Sequence, residues 1–485
     1  MLKDLLNVAR PLGILLMAFS VAFLPPIGIS LLNDEGALRP YLAGLAANFG
    51  LGLLLWLVAR RNRRELKSRD GFLLVALTWT LLAATAAVPL MIGLGMSFTD
   101  AYFETMSGFT TTGATVLTGL DGMDHAHNLW RHELCWLGGL GIIGLAMAVL
   151  PLLGVGGMQV YRAEATGPIK DSRLTPRLVQ TARSLWLIYT GLTAACALAL
   201  WLAGMTAFDA ICHAFASLSL GGFSTHDASI GYFDSVLVEV ILIVFMVLAG
   251  INFATHFLAL RGRSLRPYWR DAEALAMIGV LVGSCVGIAL YIWISGVYPD
   301  FWTALRYASF NLVSVALDCG LVNADFGQWP IAAGFWILAM SCVAASAGST
   351  GGGIKMIRTL ILFKQSGREL TSLVHPSAMH SLKVGGQVVS ERTILSVFGF
   401  IHLYTISIVV FALLLLISGL DPVTAFSAVV TTMNNAGPGL GLVGPATTFA
   451  VLTDFQTWVC TVAMLTGRLE VFVLIVLLTP TFWRE

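Results

Sequence analysis

Charge is what this sequence has least of. Asp, Glu, Lys and Arg together make up 11% of its 485 residues, with 27 acids against 28 bases. A water-soluble domain carries about a quarter of its residues as charges, so a soluble enzyme or binding domain is excluded. The net charge of +1 leaves no electrostatic footprint for nucleic acid. Clustered metal ligands are missing too: the seven cysteines, at 135, 196, 212, 285, 319, 342 and 460, stand singly in apolar surroundings without a CxxC pair. They read as small buried hydrophobes. His132-Glu133-Leu134-Cys135-Trp136 begins like a zinc-protease motif, but Trp136 stands where the second histidine belongs. Asp124-His125-Ala126-His127 reads as a solvated outer loop rather than a ligand set. With no nucleophile and base in view, the chain does not read as an enzyme. Nor does Met1 to Arg10 lead into a small-residue cleavage site, so the first apolar run reads as a retained helix.

What the chain has in abundance is apolar length: 57% of residues are hydrophobic and the mean hydropathy is +0.82. Runs long enough to cross about 30 Å of hydrocarbon lie near 11–33, 40–59, 72–95, 129–154, 184–203, 233–260, 274–297, 330–363, 393–419 and 450–480. Charge placement tests this division independently. Lys and Arg concentrate at 60–69, 162–183, 261–270 and 364–392, whereas the opposite side holds only Arg39, Arg131 and Arg306. Basic residues beside spans stay on the cytoplasmic side, which predicts ten spans in a lipid bilayer with both termini in the cytoplasm.

After the first two spans a unit recurs four times: a long apolar run, a short one, a Gly-containing turn and another long run. The short runs are Ala101 to Gly113, Ala210 to Gly222, Ala308 to Gly320 and Ala425 to Gly437, each Ala preceding its Gly by twelve positions. The glycines are 109, 98 and 117 residues apart, the period of a tandem repeat. This predicts an all-α polytopic membrane protein: two N-terminal helices (1–70) and four helix, half-helix, helix repeats (71–170, 171–270, 271–390, 391–485) in pseudo-fourfold arrangement around one pore. A 12-residue helix is too short to span, and irregular backbone at membrane depth is tolerated only where it is buried or lines a water-filled path. Four such turns around one axis make a ring of carbonyls that replaces an ion's hydration shell, with the negative ends of the half-helix dipoles aimed below it. Both terms select a cation. Asp100, Asp209 and Asp421, at the starts of half-helices, read as caps.

The segments Thr111-Thr112-Gly113-Ala114-Thr115, Leu220-Gly221-Gly222-Phe223-Ser224-Thr225-His226-Asp227 and Asn434-Asn435-Ala436-Gly437-Pro438-Gly439 resemble the filter loops of the TrkH branch of the Trk/Ktr/HKT superfamily. So do Glu65 to Gly71, Gly348-Ser349-Thr350-Gly351-Gly352-Gly353 and the ending Leu478 to Arg484, and the likeness covers the whole chain with its two extra N-terminal helices. The resemblance implies gated, channel-like, potassium-selective uptake across a bacterial inner membrane. It places potassium on backbone carbonyls of Thr111, Thr112, Gly113, Leu220, Gly221, Gly222, Asp318, Cys319, Gly320, Asn435, Ala436 and Gly437. It also implies a homodimer, no cofactor on this chain, and a cytoplasmic TrkA-type regulatory subunit that binds a nucleotide (NAD, ATP or ADP), docked on the loops near 155–183 and 364–391.

One turn departs from that pattern. Where relatives carry Thr or Ala, Ala316-Leu317-Asp318-Cys319-Gly320 sets a carboxylate and a thiol beside the ring. Either Asp318 faces the pore and raises cation occupancy, or it points sideways and bonds backbone behind the filter. Below the ring, Gly348 to Gly353 must break the run that begins at Pro330, since each glycine costs a helix about 1 kcal/mol. The family makes this loop an obstruction under the filter; a packing kink is the alternative. Arg468 lies inside the last apolar run with Glu470 close by, where a charge costs at least about 2.5 kcal/mol. In the family it opposes cation passage; otherwise it pairs with a carboxylate or carbonyls. Lys355 and Arg358 read as snorkelling toward the cytoplasm. A secondary transporter coupling potassium to protons or sodium remains the alternative function.

Overall fold

The computed structural model describes residues 2–62, 67–153, 174–376 and 381–484, so most of the basic loop near 155–183 lies outside the described residues. Helix Leu2–Phe19 continues through a 3-10 turn at Ser20–Phe23 into Leu24–Leu32, and it crosses Leu38–Ala59. The crossing is tight because both faces carry glycine. A Cβ on Gly13 would lie 2.5 Å from the Gly52 carbonyl oxygen, so no side chain fits there.

The four repeats follow. The first comprises Ser68–Ala86 with Val88–Leu94, then the half-helix Phe98–Phe109, then His125–Leu153. The second comprises Leu174–Leu202, Ala207–Ser219, and Val236–Gly250 followed by Phe253–Gly262. The third is built from Ala272–Ile294, Phe301–Ala316, and Ile331–Val343 followed by Met356–Val374. In the fourth, Glu391–Ile417 and Pro422–Asn434 precede Asp454–Arg468 and Phe472–Leu478. The half-helices have 12, 13, 16 and 13 residues, too short to span. Each starts on a side-chain cap: Ser97, Thr206, Asp300 and Asp421 accept from the backbone N–H three residues on. Asp100 and Asp209 therefore sit in the first turn rather than at the cap, where the helix dipole still favours an acid.

The third repeat breaks where the glycine run predicts, between Val343 and Met356. Two further breaks correct the expectation of continuous spans over 233–260 and 450–480. The second repeat bends by 95° between Gly250 and Phe253, where the Asn252 side chain caps the new helix by accepting from Ala254 N at 2.9 Å. The fourth bends by 112° between Arg468 and Phe472, with Glu470 and Val471 both at positive φ (56° and 47°). A β-branched residue there costs roughly 1–2 kcal/mol, which surrounding packing must offset. Arg468 consequently ends a helix instead of lying inside one. In the basic loop near 364–391, Lys383–Val384 and Gln387–Val388 form an antiparallel hairpin turned by Gly385 and Gly386 at φ 57° and 79°.

Candidate functional site: a ring of backbone carbonyls

The half-helices end alike. Residues 111, 220, 318 and 435, two before each glycine, have φ between 53° and 64°, and the glycines themselves have φ of 77°, 65°, 86° and 85°. Between them, the amides of Thr112, Gly221, Cys319 and Ala436 each donate to the carbonyl five residues back, all at 2.8 Å. Alternating left-handed residues turn successive carbonyls the same way. Thr111, Leu220, Asp318 and Asn435 accept this conformation although none is glycine, at roughly 1–2 kcal/mol apiece.

The four turns close a circle. A Cβ on Gly113 would lie 2.6 Å from Gly221 O; on Gly222, 2.0 Å from Cys319 O; on Gly320, 2.5 Å from Ala436 O; and on Gly437, 2.8 Å from Thr112 O. Each glycine thus faces the carbonyl of the residue preceding the next glycine, in the order first, second, third, fourth, first. All four glycines line one cavity of about 320 Å³, continued by Thr115, Arg131, His226, Asp227, Pro438 and Thr448.

The ring is braced by a buried ion pair. Arg131, read from the sequence as an outer-side charge, is 1% exposed; its Nε donates to Glu104 Oε1 at 2.7 Å and its Nη1 to Ser224 O at 3.2 Å. Glu104 also accepts from Thr115 Oγ1 and Val116 N. One guanidinium therefore ties the segments beyond the first and second turns together, and it lies 4.3 Å from the Phe223 ring centroid. The sequence signal was present: an acid inside an apolar half-helix needs a cation. The neighbouring motif is structural. His132 is buried with Nδ1 on Asn128 O, and His127, expected in a solvated loop, is buried against Tyr41 Oη at 3.0 Å.

Beneath the ring sits the loop between Val343 and Met356. Thr350 Oγ1 donates to Leu218 O at 3.1 Å, at the end of the second half-helix. Gly352 N donates to Asp318 Oδ2 at 2.9 Å, and a Cβ on Gly352 would collide with Asn434 O at 1.8 Å. Glu273 holds both feet of the loop, its Oε1 accepting from Ala347 N (2.6 Å) and Ile357 N (3.1 Å). Arg468 is 3% exposed and its Nη1 donates to Thr350 O at 2.8 Å, while Nε and Nη2 have no protein partner. The structure thus brings Arg468 onto the Gly348–Gly353 loop, and Asp318 accepts from the backbone of that loop at Gly352 N.

Two expectations fail here. Lys355 does not snorkel: it is buried, at φ 77°, with Nζ donating to Gly351 O. Arg358 is equally buried, pairing with Glu470 and covering the Phe400 ring at 3.9 Å. Glu470 is therefore the partner of Arg358 and not of Arg468. Both corrections have one cause: the break after Val343 turns the chain back under the half-helices, so these cations are enclosed by Gly351, Glu470 and Phe400.

The family model TrkH, described as a cation transport protein, matches residues 40–290 and 299–484. The Trk system potassium uptake protein TrkH of Salmonella typhimurium is 47% identical, and TrkG of Escherichia coli K12 is 39% identical. The matches cover 99% of this chain in each case, with 99% and 98% of those proteins. The crystal structure of the potassium transporter TrkH from Vibrio parahaemolyticus superimposes with a TM-score of 0.91 at 44% identity, over 99% of both chains.

Proposed function

As the chain belongs to the TrkH family of cation transport proteins, a family of transporters and not of enzymes, we propose that it takes up potassium through the ring of carbonyls by gated, channel-like permeation. The single observation carrying this reading is the closed circle of Gly113, Gly222, Gly320 and Gly437 above the ends of four half-helices. Carbonyls turned inward at four equivalent places can replace the hydration shell of a monovalent cation, and four half-helix C-termini hold that cation electrostatically. Repeats in one orientation around one ring favour a pore over a carrier that couples potassium to protons or sodium.

The loop from Gly348 to Gly353 with Arg468 is the gate. A unit positive charge about 6 Å from a passing cation costs roughly 3 kcal/mol at an effective dielectric near 20, enough to slow passage about a hundredfold. Glycine supplies a crown without side chains to unpack when it leaves. In this reading both termini and the basic loops lie on the cytoplasmic side of the inner membrane, as the placement of Lys and Arg beside the spans favours. There the hairpin region near 364–391 serves as part of the docking surface for a nucleotide-binding TrkA-type ring, with the transporter as a homodimer. The segments 71–170, 171–270, 271–390 and 391–485 are the four repeats of this pore, and 1–70 supplies the two extra N-terminal helices.

Rubidium uptake into liposomes containing the purified chain tests the reading. Arg468→Ala is expected to raise uptake well above the parent, toward a hundredfold, with potassium still preferred to sodium. Correctly folded Arg468→Ala protein that carries no more ion than its parent would refute the electrostatic gate.

A further inference from the structure

The residues two before each filter glycine are Thr111, Leu220, Asp318 and Asn435, all fully buried and all in the left-handed conformation at the inner end of the ring. Three of the four carry a side-chain oxygen with no protein partner: Thr111 Oγ1, Asp318 Oδ1 and Asn435 Oδ1. Buried oxygens without donors are costly, and three in one register position on different repeats are not accidents of packing. The neighbours of two of them are informative. Gly352 of the loop gives its N–H to the other oxygen of Asp318 at 2.9 Å, and a Cβ on Gly352 would lie 3.2 Å from Asn435 Oδ1. Lys355 and Arg468 are the cationic groups whose charges act on Asp318. Asn435 is held in place by its amide, whose Nδ2 donates to Thr112 Oγ1 and Met464 O, both at 3.0 Å, leaving Oδ1 as the free acceptor.

We propose that Asp318 and Asn435, with Thr111 at the same register, form a side-chain site for a dehydrated monovalent cation at the inner end of the filter, which the loop masks in this structure by placing the Gly352 N–H on Asp318 Oδ2. The site rests on the gate reading given above. When the loop leaves, Lys355 leaves with it and the Asp318 carboxylate faces the path, so the step that removes the obstruction also creates an attraction for the ion descending from the ring. Asp318 then adds a charge at a register that two other repeats, with Thr111 and Asn435, make polar.

The test is the potassium dependence of rubidium flux through the full chain in liposomes, compared among the parent, Arg468→Ala, Asp318→Asn and the double variant. Asn keeps an acceptor for Gly352 N but loses the charge, so a purely structural latch predicts an unchanged half-saturating potassium concentration. The ion site predicts a rise of about tenfold, corresponding to ~1.4 kcal/mol. Raised flux in Arg468→Ala with no shift in either Asp318→Asn protein overturns the site and leaves the gate standing. Parental flux in Arg468→Ala removes the gate, and the half-saturation of Asp318→Asn alone still decides the ion site. Should Asp318→Asn fail to fold, Lys355→Gln provides the converse. Its melting temperature in detergent is expected to rise more steeply with potassium than the parent's, because one of the two cationic charges that act on Asp318 is then gone. An equal potassium response in Lys355→Gln and parent would overturn the proposal.

Discussion

At the ring, the four repeats share a pattern of two positive φ values, one 2.8 Å amide bond and one glycine facing the next carbonyl. A few residues further inward they share nothing. The second helix of the first repeat runs unbroken over His125–Leu153, the second bends by 95°, the third opens into a loop, and the fourth bends by 112°. Coordinating an ion from all sides demands equal geometry from every contributor, because one misplaced carbonyl leaves part of the hydration shell unreplaced. Obstructing an ion needs only one contributor, so a single repeat can supply the loop while its neighbours bend to make room. Gly250, at the second break, lies under Leu317, and its neighbour Ala249 accepts from Thr350 N. The asymmetry below is thus one packed arrangement and not four independent deviations.

The comparison predicts that substitutions in the symmetric layer are the more damaging. The largest effect is expected for Gly222→Ala, which puts a methyl 2.0 Å from Cys319 O at φ 65°. The contact is with backbone on a neighbouring repeat and has no rotamer to escape into. Potassium preference over sodium should be lost, and rubidium uptake in the presence of excess sodium reads it out. Retained selectivity would mean that the carbonyl circle does not select. Gly262→Ala, with open space around it, is the control.

A smaller but still large effect is expected behind the ring. Arg131→Met leaves Glu104 buried without its cation, and breaking such a pair typically costs about 3–5 kcal/mol. Replacing both partners, as Arg131→Met with Glu104→Leu, removes the unpaired charge and should recover much of the loss. A melting series in detergent that shows the double variant no better than Arg131→Met would argue against a pair worth. Because Arg131 also ties Ser224 to Thr115, both variants should weaken selectivity even where stability returns.

The division between legible and hidden follows the same layers. The twelve-residue spacing from Ala to Gly was readable because every repeat needs it for the same local reason, a half-helix length and a left-handed turn. The broken third repeat was readable because Gly351-Gly352-Gly353 cannot propagate a helix. The bend at Val471 was not, since a β-branched residue at positive φ contradicts local preference and is imposed by packing. Nor were the partners of the buried charges. Arg358 meets Glu470 across 112 residues and Gly352 meets Asp318 across 34, so sequence proximity pointed Glu470 to the wrong arginine. Lys355 was misread for the same reason: a lysine after a glycine loop snorkels on a straight helix, and here the chain has turned back.

The smallest expected effect lies on the outer rim, where the symmetric layer meets solvent. His226 Nδ1 donates to Asp121 Oδ1 at 2.5 Å, and Asp227 N donates to Asp121 Oδ2 at 3.2 Å, clasping the loops after the first and second turns. The His226 N–H beside it holds the Asp121 carboxyl below the usual carboxylate range. The side chain is half exposed, so solvent screens most of the interaction. The sign is nevertheless definite. A carboxyl lowered in the folded state contributes stability that is present above its unfolded value, near 3.9, and is lost as pH falls through the lowered folded value. Asp121→Asn should therefore melt slightly below the parent at neutral pH, and the gap should close on acidification below about pH 4. A gap that persists unchanged at pH 3 would mean that Asp121 acts through packing rather than charge. In that case the rim would join the asymmetric part of the molecule, where each contact is particular to one repeat.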